Sequence, residues 1–329
     1  MSALPETVTV AIVGGGQCGI ALARHLQMHT LAGDDPVSYL VLERDHIADG
    51  WRHGRWDGML ANGPAWASHF HDRDLGPDSS GRLVDPDEYP TKDHVADYLT
   101  EYAAHYGLAV AEETAVTGVA KLEGSDYWRV ATNHGPVHAR YVVIATGQSQ
   151  KRRVPDAATD LPETITQMHS VDYRDPSALP DGAVLVVGGG PSGYQIAQEL
   201  ISAGRDVHIA VGGHTRVPRR YRGRDTIWWT GTLLHYEALN IPPGAAGPIL
   251  LSGLGGGRTA DYRDLAAQGA TLYGHVVGAS SWGCRSRRGW RRTSCGGAGT
   301  TAGCWQITST SKNSSGQFMA NGQSPEPLP

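Results

Sequence analysis

Two stretches decide the fold: Val13-Gly14-Gly15-Gly16-Gln17-Cys18-Gly19 near the start of the chain and Val187-Gly188-Gly189-Gly190-Pro191-Ser192-Gly193 near its middle. Each has the spacing G-x-G-x-x-G, and each stands between an apolar run and a segment with helical periodicity. A strand that passes through such a turn into a helix is the dinucleotide-binding fingerprint of a Rossmann-like unit. The repeat predicts a doubly wound, three-layer α/β fold with two dinucleotide-binding domains.

The flanking patterns support this arrangement. In the first unit we predict strands over residues 7–13 and 39–42, with a helix over 20–28 between them. In the second unit we predict strands over 182–187 and 207–211, with a helix over 194–202. An amphipathic helix over 92–106 and strands over 127–131 and 137–145 complete the first unit. The domain boundaries expected from these elements are 1–168 and 169–278, followed by a distinct tail over 279–329.

The first fingerprint assigns a different task to each glycine. Gly14 permits the tight turn, Gly16 lets the backbone approach a pyrophosphate, and Gly19 lets the helix pack closely. The helix N-terminus presents free N–H groups and the positive end of its dipole to the phosphates. Glu43 ends the second strand, where an acid binds ribose hydroxyls.

The second fingerprint lacks an acid at the matching position. Its strand is followed by Arg216, with Arg219 and Arg220 close behind. An acid there would repel a 2′-phosphate, whereas arginine binds one by charge-assisted hydrogen bonds. The sequence therefore favours NADPH over NADH, with a solvated basic loop as the alternative interpretation of these arginines.

Composition excludes other classes of function. A formal net charge of -5 gives no reason to expect a nucleic acid partner. No apolar stretch reaches the length of a membrane span, and we expect a soluble, cytoplasmic protein. The histidines have no metal-ligand spacing, so no metal site is predicted. The four cysteines form no C-x-x-C pair, which argues against a redox dithiol.

The tail over 279–329 differs from the rest of the chain. It has six basic residues and one acid, and among Val, Ile and Leu it offers only Ile307 and Leu328. We expect that it cannot bury a core or fill a strand. Two interpretations stay open: a disordered basic tail, or an out-of-frame translation of a GC-rich gene, which the mixture of Arg, Gly, Ser, Ala, Trp and Cys favours.

Residues 7–278 resemble the flavin-containing monooxygenases, class B flavoproteins that include Baeyer–Villiger, YUCCA-type and CzcO-like members. The matching residues are Val13 to Gly19, Leu40 to Arg44, Trp51-Arg52, Tyr89-Pro90, Ala145-Thr146-Gly147, His169-Ser170 with Tyr173, Val186 to Gly193 and Arg216 to Trp228. In this family a further segment completes the FAD domain. The tail stands in its place, so we expect the FAD domain to be incomplete at the C-terminus.

The resemblance implies FAD at the first fingerprint and NADPH at the second. NADPH reduces FAD, and the reduced flavin captures O2 as a C4a-(hydro)peroxide that transfers one oxygen atom to a small organic substrate. The cofactor-binding residues so implied are Gly14, Gly16, Gln17, Gly19, Glu43, Arg44, Trp51, Ala145, Thr146, Gly147, His169, Gly188, Gly190, Ser192, Gly193, Arg216, Arg219 and Arg220.

Asn62 matches the position of an asparagine that the family places near the flavin, and it is the candidate catalytic residue; a turn-forming asparagine is the alternative. The family's linker motif keeps His169 and Tyr173, but Glu163 and Ile165 replace its Phe and Gly, which argues against a standard Baeyer–Villiger enzyme. Two other functions stay open: a remnant that binds nucleotide without catalysis or acts as an NADPH oxidase, and another two-dinucleotide flavoprotein reductase.

Overall fold

The computed structural model describes residues 3–33, 35–147, 151–212, 216–235, 250–280, 283–286, 289–290 and 305–308. The first unit consists, in chain order, of β1 (Thr7–Val13), α1 (Gln17–Leu31), β2 (Tyr39–Leu42), α2 (Asp49–Arg52), α3 (Lys92–His105), β3 (Val110–Ala111), β4 (Val116–Lys121), β5 (Trp128–Thr132) and β6 (Gly135–Ile144). Its sheet has the order β3-β2-β1-β6-β5-β4. The neighbouring strands β3, β2, β1 and β6 are parallel to one another. Beyond β6, strands β5 and β4 continue the sheet as an antiparallel meander.

The predicted amphipathic helix is α3. Thr91 caps it, because its side chain accepts a hydrogen bond from His94 N at 3.2 Å. The apolar face that the spacing indicated is buried and packs with α1 and β1 into one core cluster. Its residues are Val95, Tyr98, Leu99 and Tyr102. The other face of the sheet is covered by a smaller cluster around Val130 and Val137.

The second unit contains β7 (Gln167–His169), β8 (Val184–Val187), α4 (Pro191–Ser202), β9 (Val207–Ala210), β10 (Arg220–Tyr221), β11 (Arg224–Asp225), α5 (Thr226–His235), α6 (Leu254–Gly257), α7 (Tyr262–Ala267) and β12 (Thr271–Tyr273). After them come β13 (Val276–Ser280), β14 (Gly283–Ser286), β15 (Gly289–Trp290) and β16 (Trp305–Thr308). The sheet order is β12-β9-β8-β16-β7, with all strands parallel. The fold class is therefore the predicted one: two Rossmann-like α/β units.

One expectation about the tail is wrong. Residues 279–329 were expected to fill no strand, yet β14, β15 and β16 lie there, and β16 pairs with β8 on one side and β7 on the other. A four-residue strand inside a sheet needs little apolar content, because its main chain is hydrogen-bonded on both sides. Trp305 and Ile307 also alternate with Gln306 and Thr308, which is the period of a strand.

Among the described residues, no helix has both the length and the apolar character that a transmembrane segment requires.

A buried polar cluster joins the two units. Tyr89, from the first unit, donates a hydrogen bond to Asp225 Oδ2 at 3.0 Å, and Arg219 Nε donates to the same oxygen at 2.7 Å. The Arg219 guanidinium also lies 4.6 Å from the centre of the Tyr89 ring. Burial raises the pKa of Tyr89, so the phenol keeps the proton that it donates.

Glycines close this cluster on its other side. A Cβ on Gly253 would lie 2.8 Å from the Tyr89 Cβ, and one on Gly257 would lie 2.0 Å from the Tyr89 hydroxyl. Only glycine permits this approach of the second unit to the tyrosine. The contact therefore fixes how the two units sit against each other.

We expect this buried cluster to contribute to the stability of the folded protein. Replacing Arg219 with methionine leaves the Asp225 carboxylate buried without its cation, and we expect the free energy of unfolding to fall by about 3–5 kcal/mol. Urea denaturation followed by circular dichroism measures the change.

The matched control is Arg220→Gln. Arg220 is the neighbouring arginine, and its pair with Asp87 is 3.5 Å long and 45% and 58% exposed. Exposed pairs contribute about 0–1 kcal/mol, so this variant should unfold nearly as the parent does. Equal losses in the two variants would contradict the role assigned to the buried pair.

Candidate functional site

The first glycine turn is built on close backbone contacts. Gly14 has φ +114°, and a Cβ there would lie 2.5 Å from Ala145 O at the end of β6. A Cβ on Gly19 would lie 1.9 Å from Gly14 O, so α1 can begin this close to the turn only with glycine. Gly16 differs, because a Cβ there would meet nothing within 4 Å. The open face of the turn is therefore the backbone around Gly16.

Glu43 closes this turn from the side of β2. Its Oε2 accepts a hydrogen bond from Gly15 N at 2.5 Å, and its Oε1 accepts one from Asp45 N at 3.1 Å. A carboxylate accepts about four hydrogen bonds, so capacity remains for a ligand hydroxyl. Arg44 is 65% exposed and pairs with Asp45 at 2.8 Å, so it points away from the turn.

The crossover segment follows β6. Ala145 N donates to Val13 O at 2.8 Å, and this bond ties the end of β6 to the end of β1. Gly147 has φ +77°, which lets the chain turn away from the sheet. Ala145, Thr146 and Gly147 therefore lie beside the first glycine turn.

The second glycine turn repeats the geometry of the first. Gly188 has φ +121°, and its N–H donates to Ala210 O at 2.9 Å. Gly190 is the extended residue before α4, and Pro191 occupies the first turn of that helix. Gly193 is buried in α4. The N-terminus of α4 therefore emerges from a glycine turn as that of α1 does.

Both helix N-termini open on one cavity of about 670 Å³. Five predicted site residues line it: Gln17, Trp51, Asn62, His169 and Ser192. Gln17 is the first residue of α1 and Ser192 belongs to the first turn of α4. The cavity thus lies between the two units, and the fold brings both fingerprints to the same space.

The charge of the cavity wall is positive. Arg55, Lys151 and Arg153 line the cavity, and no carboxylate is among the described residues that line it. Arg55 lies over the Trp51 ring at 5.7 Å, and burial lowers the pKa of its guanidinium without removing the charge. Two helix N-termini add further positive potential. These three cations were not predicted from the sequence, although the run Lys151-Arg152-Arg153 indicated two of them.

His169 presents a hydrogen-bond donor to this space. Val171 N donates to His169 Nδ1 at 3.2 Å, so the ring proton of the neutral imidazole lies on Nε2. Burial lowers the pKa of His169, which keeps the ring neutral near pH 7. Nε2 is buried and finds no hydrogen-bond partner among the described residues. The geometry leaves this N–H for a bound group.

The three predicted arginines lie in different surroundings. Arg216 is 50% exposed and its Nε pairs with Asp261 Oδ2 at 2.8 Å. Asp261 also binds Arg263, whose hydrogen bonds lower the pKa of the Asp261 carboxyl to about 2. Arg220 is exposed beside Asp87. Arg219, predicted with them as a residue that binds the 2′-phosphate, has its side chain buried against Asp225 and Tyr89, and so does not belong to a solvated basic loop.

No group of three or more metal-ligating side chains exists among the described residues.

Comparison with known proteins agrees with this geometry. The family described as pyridine nucleotide-disulphide oxidoreductase matches residues 11–226. An uncharacterized CzcO-like oxidoreductase of Geobacillus kaustophilus is 35% identical over 227 residues, which are 69% of this chain and 61% of that protein. The indole-3-pyruvate monooxygenase YUCCA1 of Oryza sativa subsp. japonica is 32% identical over 236 residues, 70% of this chain and 54% of that protein.

A flavin-containing monooxygenase from Stenotrophomonas maltophilia has the same fold, with a TM-score of 0.67 and 21% identity over 93% of this chain and 79% of that one. The chain spans less than two thirds of the length of the two sequence relatives. The family match covers both glycine turns and the crossover between them. The chain belongs to the pyridine nucleotide-disulphide oxidoreductase family and, within it, resembles the flavin-containing monooxygenases.

Proposed function

We propose that this chain is an FAD- and NADPH-dependent monooxygenase that transfers one oxygen atom from O2 to a small organic substrate. One observation carries the proposal. The N-termini of two glycine-turn helices open on a single cavity whose lining, within the described part of the chain, has three cations and no carboxylate. Two dinucleotides that must exchange a hydride need such a shared space, and their diphosphates need its positive potential.

The residues of the first unit fit FAD. The open backbone at Gly16 has room for a diphosphate, and the Glu43 carboxylate can accept the ribose hydroxyls. Trp51 and Trp56 line the cavity as apolar walls for a flat ring system. The turn around Gly188, with Arg216 beyond β9, fits NADPH in the second unit.

When bound, FAD would supply the redox chemistry that couples NADPH to O2. The protein positions the cofactors and lines the cavity with apolar side chains. His169 lies in the linker between the units, and its Nε2–H can donate a hydrogen bond to the bound nicotinamide nucleotide. Trp51, Trp56 and Met59 exclude water from the cavity floor. The Asn62 side-chain amide lines the cavity, where it can form a hydrogen bond with a bound group.

Two of the similar proteins favour this proposal over disulfide reduction. YUCCA1 is by its name a monooxygenase, and the solved neighbour is a flavin-containing monooxygenase. A disulfide reductase of this layout needs a paired redox cysteine motif, and the sequence has no C-x-x-C.

The deciding experiment measures cofactor and oxygen together. Purified protein is incubated with FAD and passed through gel filtration, and its visible spectrum gives the flavin content. NADPH oxidation, O2 uptake and H2O2 release are then followed with a panel of amines, thioethers and ketones. We expect about one flavin per chain, with H2O2 falling when a substrate accepts oxygen. Colourless protein, or NADPH oxidation driven only by disulfides, would overturn the proposal.

Gly16 tests the FAD site without disturbing the fold. The Cβ of Gly16→Ala meets no protein atom within 4 Å, but it lies on the open face of the turn. We expect the FAD Kd to rise about tenfold or more, which corresponds to ~1.4 kcal/mol. Flavin fluorescence titration measures it. Gly118→Ala on β4, where a Cβ also meets nothing, is the control and should keep the parental Kd.

Arg216 tests the choice between NADPH and NADH. Arg216→Ala removes a charged donor, and hydrogen bonds to charged groups contribute about 1.5–3 kcal/mol. We expect NADPH affinity to fall about tenfold to a hundredfold while NADH affinity is unchanged. Isothermal titration with both nucleotides gives the ratio. Arg222→Ala, an exposed arginine of the turn between β10 and β11, serves as the control. Equal losses for both nucleotides in Arg216→Ala would contradict a 2′-phosphate contact.

A further inference from the structure

A buried amide of the second unit contacts the candidate catalytic residue of the first. Gln195 lies on α4 and is 1% exposed. Its Nε2 donates to Asn62 Oδ1 at 3.0 Å and to Leu60 O at 3.3 Å. No sequence motif points to Gln195, because it lies 133 residues from Asn62.

The segment that receives these hydrogen bonds is itself held in place. Ala61 N donates to Pro90 O at 2.8 Å, and Leu60 forms a β-bridge with Thr91 at the start of α3. The position of Leu60 O is therefore set by the first unit and does not adapt to the glutamine.

Leu60 O determines the orientation of the Gln195 amide. A carbonyl oxygen can only accept, so the side of Gln195 that faces it must be the NH2 group. The reversed amide would place Oε1 against the oxygen of Leu60. Gln195 Oε1 has no donor partner among the described residues, so the orientation of the amide is set by Leu60 O alone.

The orientation of Gln195 in turn determines that of Asn62. Because Gln195 presents a donor, Asn62 must answer with its acceptor, Oδ1. The Asn62 NH2 group then points away from Gln195, and Asn62 lines the cavity. We propose that Gln195 is a positioning residue that makes Asn62 present N–H donors, and not its oxygen, to the cavity.

This inference deepens the proposed function and rests on it for its consequence. A cavity that offers donors at Asn62 stabilises a ligand atom that accumulates negative charge, whereas an exposed Oδ1 would repel it. Because Gln195 belongs to the helix of the second glycine turn, the polarity of Asn62 depends on how that helix is seated.

The amide protons provide a test that needs no cofactor and no turnover. The chain has five asparagines, so protein labelled with [15N]asparagine gives few side-chain NH2 signals, and Asn62→Ala identifies that of Asn62. With [15N]glutamine, Gln195→Met identifies the second signal. We expect the Gln195 NH2 protons to exchange with solvent about tenfold or more slowly than those of Asn62, because they are hydrogen-bonded and buried.

Gln195→Glu should reverse the pattern. A buried carboxyl ionises only at raised pH; once ionised it can only accept, so Asn62 must then turn its NH2 group towards residue 195. The Asn62 protons should then become protected at least about tenfold relative to the parent. Gln198→Met, on the same helix, is the control and should leave them unchanged. Thermal unfolding with near-UV circular dichroism shows that each variant is folded.

A second readout uses the flavin spectrum of protein loaded with FAD. Gln195→Met keeps the volume of the side chain but removes both donors. It should shift the flavin absorption and raise H2O2 release several-fold in the parent, and have no further effect in Asn62→Ala. A structural role would give equal effects in both backgrounds.

Protected Asn62 protons in the parent, or no change in Gln195→Glu at a pH where its carboxyl is ionised, would overturn the inference even if FAD binds. If the exchange pattern holds but the protein takes up no flavin, the proposed function fails and the positioning role stands.

Discussion

The contact between a helix and its own glycine turn is the constraint on which the site depends. Gly19 lies so close to Gly14 O that any side chain would force α1 away from the turn. Because α1 cannot retreat, its first N–H groups stand at the edge of the cavity and not behind a layer of side chains. A helix terminus favours an anion only within its first turn, so this proximity decides whether the dipole matters for binding.

The second unit adds what the first turn lacks. It places another glycine turn and the N-terminus of α4 against the same space, and the cluster of Tyr89, Arg219 and Asp225 holds the two units together. A buried charge with its partner removed is costly, so this contact resists sliding. Gln195 uses the same fixed geometry, since its hydrogen bond to Asn62 forms only while α4 keeps its place.

Local pattern predicted the elements well where one face of a helix or a whole strand is apolar. The limits of β1 and β2 were predicted correctly, and α3 was found from its buried stripe. Pattern failed at β16, because a short strand between two others is stabilised by main-chain pairing that composition does not report. Pattern also did not show that Arg219 is buried, because a run of basic residues is compatible with an exposed or a buried arginine.

The sequence by itself determined the two glycine turns, the acid that follows β2 and the absence of an acid after β9. These are local features, because backbone conformation and the residue at a strand end depend on a few neighbours. Only the tertiary structure decided that both helix termini open on one cavity, that its wall is cationic, and that Gln195 orients Asn62. Those relations join residues far apart in the chain, and burial and hydrogen-bond polarity exist only after the two units have packed.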